Sequence, residues 1–443
     1  MTPDRPDSMR GMEGLFEPAY RPGWWAFLAA AAMSFVLVPL VRHLALRERV
    51  VDAPTDARRV HTRTTPLLGG VAMLVALLTA TIVFVEWRSV SGLALLNQRQ
   101  LLVTLVCAFA ICLLGAIDDV RELSWKPKLL GQVGIATAVV IGPLFMLPEG
   151  LRAASAPLVV NVLDLPFVRP FELPLVVGVG LVVLWIVAVM NMLNFIDGVD
   201  GLAAGQAAII AATFAIIAAS YSRIGIAVLA AATSGAAIGF LPHNWRKGGA
   251  RIFMGDSGSM LLGFLLAVIS VQGVLKTTAA ISLAIPLALL AVPIMDTSFV
   301  VLKRLKHGVS IASPDRWHLH HRLLNVGLSP RRVAATLWAW TIAMSSVALA
   351  LRFVDYGNSN RWNRDGLVVL GIVIGGAVAV SVLLAVRLEI IKSRRVRERN
   401  RRIAEARAAE TSEAAAAAEE GRAPVVEAVE PATLEPPLTP PSD

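Results

Sequence analysis

Leu101-Leu-Val-Thr-Leu-Val-Cys107-Ala-Phe-Ala-Ile-Cys112-Leu-Leu-Gly115-Ala-Ile-Asp118-Asp119-Val-Arg121-Glu122 decides the fold. Residues 101–117 carry no charge. A helix crossing the hydrocarbon of a bilayer needs roughly 20 mostly apolar residues, so a run of this length that stops on two adjacent carboxylates reads as a membrane helix reaching an aqueous face.

The pattern recurs. Apolar runs cover 24–41, 67–85, 100–116, 129–147, 174–190, 204–219, 224–241, 257–275, 279–296, 333–352 and 366–386. The 443 residues are 56% hydrophobic and 16% charged, and the mean hydropathy of +0.65 is too high for a soluble globular chain. The expected fold class is therefore all-α, a polytopic integral membrane protein of about 11 transmembrane helices. The first 23 residues are polar and carry both signs of charge, so the run from Trp24 reads as a retained span rather than a cleaved leader. Cys107 and Cys112 lie within one span and read as small packing residues, not as a disulfide or zinc framework.

Lys and Arg set the orientation. With Met1 outside, the inside loops hold 27 basic residues and the outside segments 11, which predicts an extracytoplasmic N-terminus and a cytoplasmic C-terminus. The net charge of +9 then faces anionic lipid or substrate and needs no nucleic acid. Four regions are expected: an extracytoplasmic segment over 1–23, a transmembrane domain over 24–386, a basic juxtamembrane segment over 387–403, and a disordered Ala/Glu/Pro-rich cytoplasmic tail over 404–443.

With this topology every dense polar motif falls on the cytoplasmic side. Asp118 and Asp119 repel each other unless a cation lies between them, which asks for magnesium. Asn191, Asn194 and Asp197 recur every three residues and share a helix face before two Asp-Gly steps, Asp197-Gly198 and Asp200-Gly201. Phe253-Met-Gly255-Asp256-Ser257-Gly258-Ser259 opens a span. Its backbone N–H groups suit phosphate oxygens, Asp256 is a hard-cation ligand, and Phe253 can stack on a base or anchor at the interface; taken alone, Asp256 or Ser257 could instead cap the helix. Arg316-Trp-His318-Leu-His320-His321-Arg322 gathers three imidazoles and two guanidiniums suited to phosphates or sugar polar groups. His61, Arg63 and Lys128 are further candidate substrate-binding groups. Carboxylates, a phosphate turn and a basic loop suggest phosphoryl transfer, and no Gly-x4-Gly-Lys-Ser/Thr loop supports ATP hydrolysis. A secondary transporter would place its polar groups at the bilayer midplane in related halves, and neither feature is seen.

Val51-Asp-Ala-Pro54, Arg59-Val-His61, Thr65-Pro66-x-x-Gly69-Gly70, Asp118-Asp119, Asn191-x-x-Asn194-x-x-Asp197-Gly-x-Asp200-Gly-Leu, Gly255-Asp256-Ser-Gly-Ser, Pro293-x-x-Asp296-Thr and His318-x-His320-His321-Arg together resemble the bacterial polyprenyl-phosphate N-acetylhexosamine-1-phosphate transferases. The match is ordered and covers about residues 45 to 330. Ser313-Pro-Asp315-Arg316-x-His-x-His-His and Glu122 resemble the WecA/TagO type, which transfers GlcNAc-1-phosphate, although that type often has Asp where Glu122 stands. The MraY type, which transfers phospho-MurNAc-pentapeptide, typically carries a Pro-Leu-His-His-His-Phe-Glu loop.

The resemblance implies a UDP-sugar donor, an undecaprenyl- or decaprenyl-phosphate acceptor, UMP as product, Mg²⁺ or Mn²⁺ as cofactor, and residence in a bacterial cell membrane. By position Asp256 would ligate the metal, Asp118 would activate the lipid phosphate and Asp119 would support both, with Asn194 and Asp197 as further metal candidates. Asn194, Asp197, Asp200 and Phe253 would hold the uridine side, with Asn191 as a further substrate-binding candidate. Arg316, His318, His320, His321 and Arg322 would hold the sugar and diphosphate. Direct in-line attack is expected over an aspartyl-phosphate on Asp118, because the lipid phosphate is already an anion that needs only orientation and screening. Oligomeric state is left open, a homodimer included.

Overall fold

The computed structural model describes residues 21–52, 64–87, 92–145, 158, 162–163, 171–275, 281–308, 318–355, 357–358 and 361–384. These are helical almost throughout. In chain order they form α1 (Arg21–Arg47), α2 (Gly69–Phe84), α3 (Gly92–Arg121), α4 (Trp125–Phe145), α5 (Leu175–Ile196), α6 (Leu202–Ser220), α7 (Ile224–Asn244) and α8 (Gly255–Ser270, continued by a π turn over Val271–Leu275). They continue as α9 (Ile281–Leu289), α10 (Ala291–Lys306), α11 (Leu319–Asn325), α12 (Pro330–Phe353) and α13 (Arg364–Leu384). The only strands among the described residues are two-residue antiparallel pairs: β1 (Val51–Asp52) with β2 (Thr65–Pro66), β3 (Val162–Leu163) with β4 (Phe171–Glu172), and β5 (Gly357–Asn358) with β6 (Arg361–Trp362). The fold is thus all-α and polytopic. Of the segment expected over 1–23, residues 21–23 open α1 and the rest lies outside the described residues, as do the regions expected over 387–443.

Each apolar run falls on a helix, but the expected count of eleven spans is not reached on length and composition. Among the described residues eight helices are long and apolar enough to cross a membrane, or nine if a bent pair counts as one span. Two departures have physical causes. α2 has 16 residues, about 24 Å at 1.5 Å per residue against a hydrocarbon core of about 30 Å. The run read over 279–296 is the bent pair: α9 and α10 meet at 75°. Pro293 has no N–H to donate to the Leu289 carbonyl and Pro286 interrupts α9, so the ladder breaks between them.

α8 is the hub. Every residue from Ser257 to Ser270 is buried, and the helix packs against α3, α5, α2 and α6. Between helices in lipid there is no hydrophobic driving force, so close van der Waals packing and interhelical hydrogen bonds hold them. Trp185 Nε1 donates to Ser270 Oγ (3.0 Å), and Gln272 Nε2 donates to Thr104 Oγ1 (3.0 Å). Around this hub α1 lies along α7 and α2, α4 along α3, and α12 against α6. The starts of α2 and α8 are joined by backbone: Phe253 N–H donates to Pro66 O (2.8 Å), Gly69 N–H to Phe253 O (3.0 Å) and Gly70 N–H to Met254 O (3.0 Å). These bonds help bring the ends of α3, α5 and α7 and the starts of α2, α4, α6 and α8 to one end of the bundle.

Candidate active site

The adjacent carboxylates at the end of α3 have different partners. Asp118 Oδ1 accepts the N–H of Leu123 (2.7 Å) and Oδ2 lies 2.7 Å from Lys128 Nζ. Between them the chain turns at Glu122, whose φ of 48° ends the helix in the left-handed conformation; Glu122 itself is exposed. Asp119 points the other way. Its Oδ1 accepts the N–H of Asp256 (2.7 Å) and its Oδ2 the N–H of Ser257 (3.2 Å). No side chain of α8 caps the first turn of that helix, so the cap comes from α3 and satisfies N–H groups that would otherwise be orphaned. Such proximity requires Gly115: a Cβ there would lie 2.5 Å from the backbone of Asp256 and Ser257.

Capping by Asp119 leaves the Asp256 side chain free for other partners. Its Oδ1 accepts from Asn194 Nδ2 (2.6 Å), and its Oδ2 pairs with Lys128 Nζ. One ammonium therefore lies between Asp118 and Asp256. Asn194 also donates to Ser259 Oγ (2.9 Å). One turn earlier Asn191 bonds Gln132 Oε1 of α4 and the Val187 carbonyl, both at 2.8 Å, which gives it a helix-packing task. Asp197 follows the end of α5. Burial first, then the charges of Asp256, Asp119 and Asp200, push its carboxyl well above the usual carboxylate range. Asp200 Oδ2 accepts the N–H of Ala250 (2.9 Å), and Asn244 Oδ1 accepts that of Gly201 (2.5 Å), so the turn after α5 is fastened to the end of α7 and the loop that follows it.

The His segment meets that turn. A Cβ on Gly198 would lie 2.6 Å from His320 Nε2, so any side chain there would displace the ring. His318 is tilted against Phe195 (5.8 Å between ring centres) and stacked on His320 (5.6 Å), and His321 is tilted on His320 (4.3 Å). Burial first, then the neighbouring His321 and His318, hold the His320 imidazole well below its ordinary pKa. Its buried Nδ1 has no hydrogen-bond partner among the described residues. Arg322 lies over the Phe299 ring of α10 (5.0 Å). Phe253 supplies backbone to the joint between α2 and α8. His61, Arg63 and Arg316 lie outside the described residues.

One contact set thus unites Asp118, Asp119, Lys128, Asn194 and Asp256, and a second joins Gly198 to the three histidines. The sequence reading assigned no role to Gln132, Asn244 or Asp296. For Asp296 a signal existed, an ionisable residue between Met295 and Thr297 in an otherwise apolar stretch. The pairings of Gln132 and Asn244 had none, being long-range amide bonds. Among the described residues no three His, Cys, Asp or Glu side chains converge as a ready metal cage. The donor set still fits a hard cation, since magnesium characteristically uses one or two carboxylates and leaves its other positions to water and substrate phosphates.

A model of glycosyl transferase family 4 matches residues 101–274. A Bacillus subtilis (strain 168) protein described as a probable undecaprenyl-phosphate N-acetylglucosaminyl 1-phosphate transferase is 33% identical over 328 residues, 74% of this chain and 84% of its own length. The chain belongs to glycosyl transferase family 4. Other relatives of this family 4 protein include the decaprenyl-phosphate N-acetylglucosaminephosphotransferase of Mycolicibacterium smegmatis, 30% identical over 81% of this chain and 88% of the relative. A phospho-N-acetylmuramoyl-pentapeptide-transferase of Desulforudis audaxviator is 30% identical over 73% of this chain and 95% of the relative.

Proposed function

We propose that this family 4 protein transfers GlcNAc-1-phosphate from UDP-GlcNAc to a polyprenyl phosphate, releasing UMP and starting a lipid-linked envelope glycan. Relatives named for that transfer on undecaprenyl and decaprenyl phosphate support the reaction and the membrane acceptor. The observation that carries the site is the Lys128 ammonium between Asp118 and Asp256 at the open end of the bundle, with the His segment beside it. Carboxylates that hold a cation and a basic loop nearby suit a reaction between two phosphate anions, where catalysis is mostly positioning and charge neutralisation. The donor, the metal and the orientation extend this reading: the cytoplasm holds the C-terminus and the site, in line with the distribution of Lys and Arg.

Magnesium held by Asp256 and Asp118 would neutralise charge on the diphosphate. Lys128 screens the repulsion between the two anions, and Asn194 keeps the Asp256 carboxylate aimed through a 2.6 Å hydrogen bond. Asp119 fixes the start of α8 so that Asp256 stands at the helix end. The neutral His320 and its neighbours pack on the turn after α5 and complete the donor side. The lipid phosphate is itself the nucleophile and needs no general base, which favours direct in-line displacement of UMP.

The experiment supplies membranes containing the full-length protein with radiolabelled UDP-GlcNAc and polyprenyl phosphate, with and without Mg²⁺, and counts the organic phase. Label in lipid only with Mg²⁺ supports the reading. Efficient transfer from UDP-MurNAc-pentapeptide instead would assign the chain to the other branch.

A further inference from the structure

Asp296 is the only acidic residue of α10 and stands in the second turn after the 75° bend. A carboxylate in such a stretch is costly unless its oxygens are matched. It is buried, and both matches come from the His segment. Oδ2 lies 3.0 Å from His318 Nδ1, and Oδ1 accepts the N–H of Leu319 at 2.6 Å. One side chain thereby grips two consecutive residues at the start of α11. His318 is buried in turn, between Phe195 and His320, and His320 rests on Gly198.

An ionised carboxylate only accepts hydrogen bonds, so the bond to Nδ1 requires a hydrogen on Nδ1. Nε2 has no protein partner among the described residues and is the ring atom left for a ligand. We propose that Asp296 is a positioning residue that fixes His318 as the Nδ1–H form, leaving Nε2 to accept from a hydroxyl or amide N–H of the donor sugar. The naming of the ligand rests on the transferase reading; the Asp296–His318 pairing does not. The bend matters to this arrangement, because it carries Asp296 away from the line of α9.

The test uses full-length, detergent-solubilised protein labelled with ¹⁵N-histidine, with His318→Gln to assign its signals among the seven histidines. Wild type should show hydrogen on Nδ1 and none on Nε2 of His318. In Asp296→Asn the one oxygen retains the Leu319 N–H, and the amide nitrogen facing the ring can only donate, so the ring must switch to the Nε2–H form. Donor kcat/KM should then fall about 10- to 100-fold, the loss of one hydrogen bond to a polar ligand group, while the KM for lipid acceptor stays put. Asp296→Glu, which keeps the charge, should retain the Nδ1–H signature, and adding Asp296→Asn to His318→Gln should cause no further loss. A bare Nδ1 or a hydrogen on Nε2 in the wild type overturns the proposal, as does an Asp296→Asn loss of equal size in the His318→Gln background. If Asp296→Asn fails to accumulate, the wild-type spectrum and Asp296→Glu still decide. Spectra as expected in a protein that transfers no sugar phosphate would uphold the pairing and overturn the donor as its ligand.

Discussion

Asp119, at the end of α3, caps α8 by accepting the N–H of Asp256, a residue 137 positions further along the chain. The bond makes one member of the acidic pair a scaffold for the carboxylate of another helix. Asp119→Ala should remove both cap bonds and cost about 1–2 kcal/mol of stability, and it should also displace Asp256. Thermal midpoint and turnover should fall together, whereas Asp119→Asn, which keeps one acceptor, should retain more of each. Turnover in Asp119→Ala equal to wild type would show that the cap does not place Asp256.

Lys128 is the counter-ion of Asp118 and Asp256. Lys128→Met leaves two carboxylates facing each other, and breaking a largely buried charge set of this kind costs about 3–5 kcal/mol. In EDTA the variant's thermal midpoint should drop, and Mg²⁺ should raise it by more than it raises that of wild type. Equal responses to Mg²⁺ would argue against metal between these carboxylates.

Gly198→Ala tests the joint between the turn and the His segment. The new Cβ would lie 2.6 Å from His320 Nε2, so the ring must shift, at about 1–3 kcal/mol for overpacking. Donor KM should rise several-fold while the KM for lipid acceptor holds; unchanged donor kinetics would separate the turn from the donor site.

His320 gives a pH signature. Its pKa in the folded protein is below the ordinary 6.5, so below that pH the unfolded chain binds more protons and stability falls as pH falls. Above about 6.5 this contribution is flat. Thermal midpoints measured downward from pH 7 should therefore decline less steeply in His320→Gln than in wild type. Parallel curves would mean that His320 titrates normally.

Topology is checked by reporters. One fused after Ala404 should read as cytoplasmic, and one inserted at Asn358 as extracytoplasmic. The opposite pattern would move the whole site to the other face of the membrane.

The helices were legible because uncharged runs in a bilayer protein have few alternatives, and Asp118, Asp119 and Asp256 stood out as charges at the ends of such runs. The bend between α9 and α10 was not, since apolarity encodes how much of a segment prefers lipid and not its direction; only Pro286 and Pro293 hinted at it. The shortness of α2 was not evident either, because a short helix still looks like an apolar run. The division of labour between Asp118 and Asp119 was hidden as well. It depends on which way each side chain leaves the end of α3, and the partners of Asp119 are backbone N–H groups, which every residue but proline has.

The remote cap also bears on synthesis. At roughly 5–20 residues per second, the backbone that Asp119 caps is made on the order of ten seconds after Asp119 itself. Lys128 follows within a second or two. The newborn acidic pair therefore has an ammonium nearby in sequence long before the helix that Asp119 caps exists.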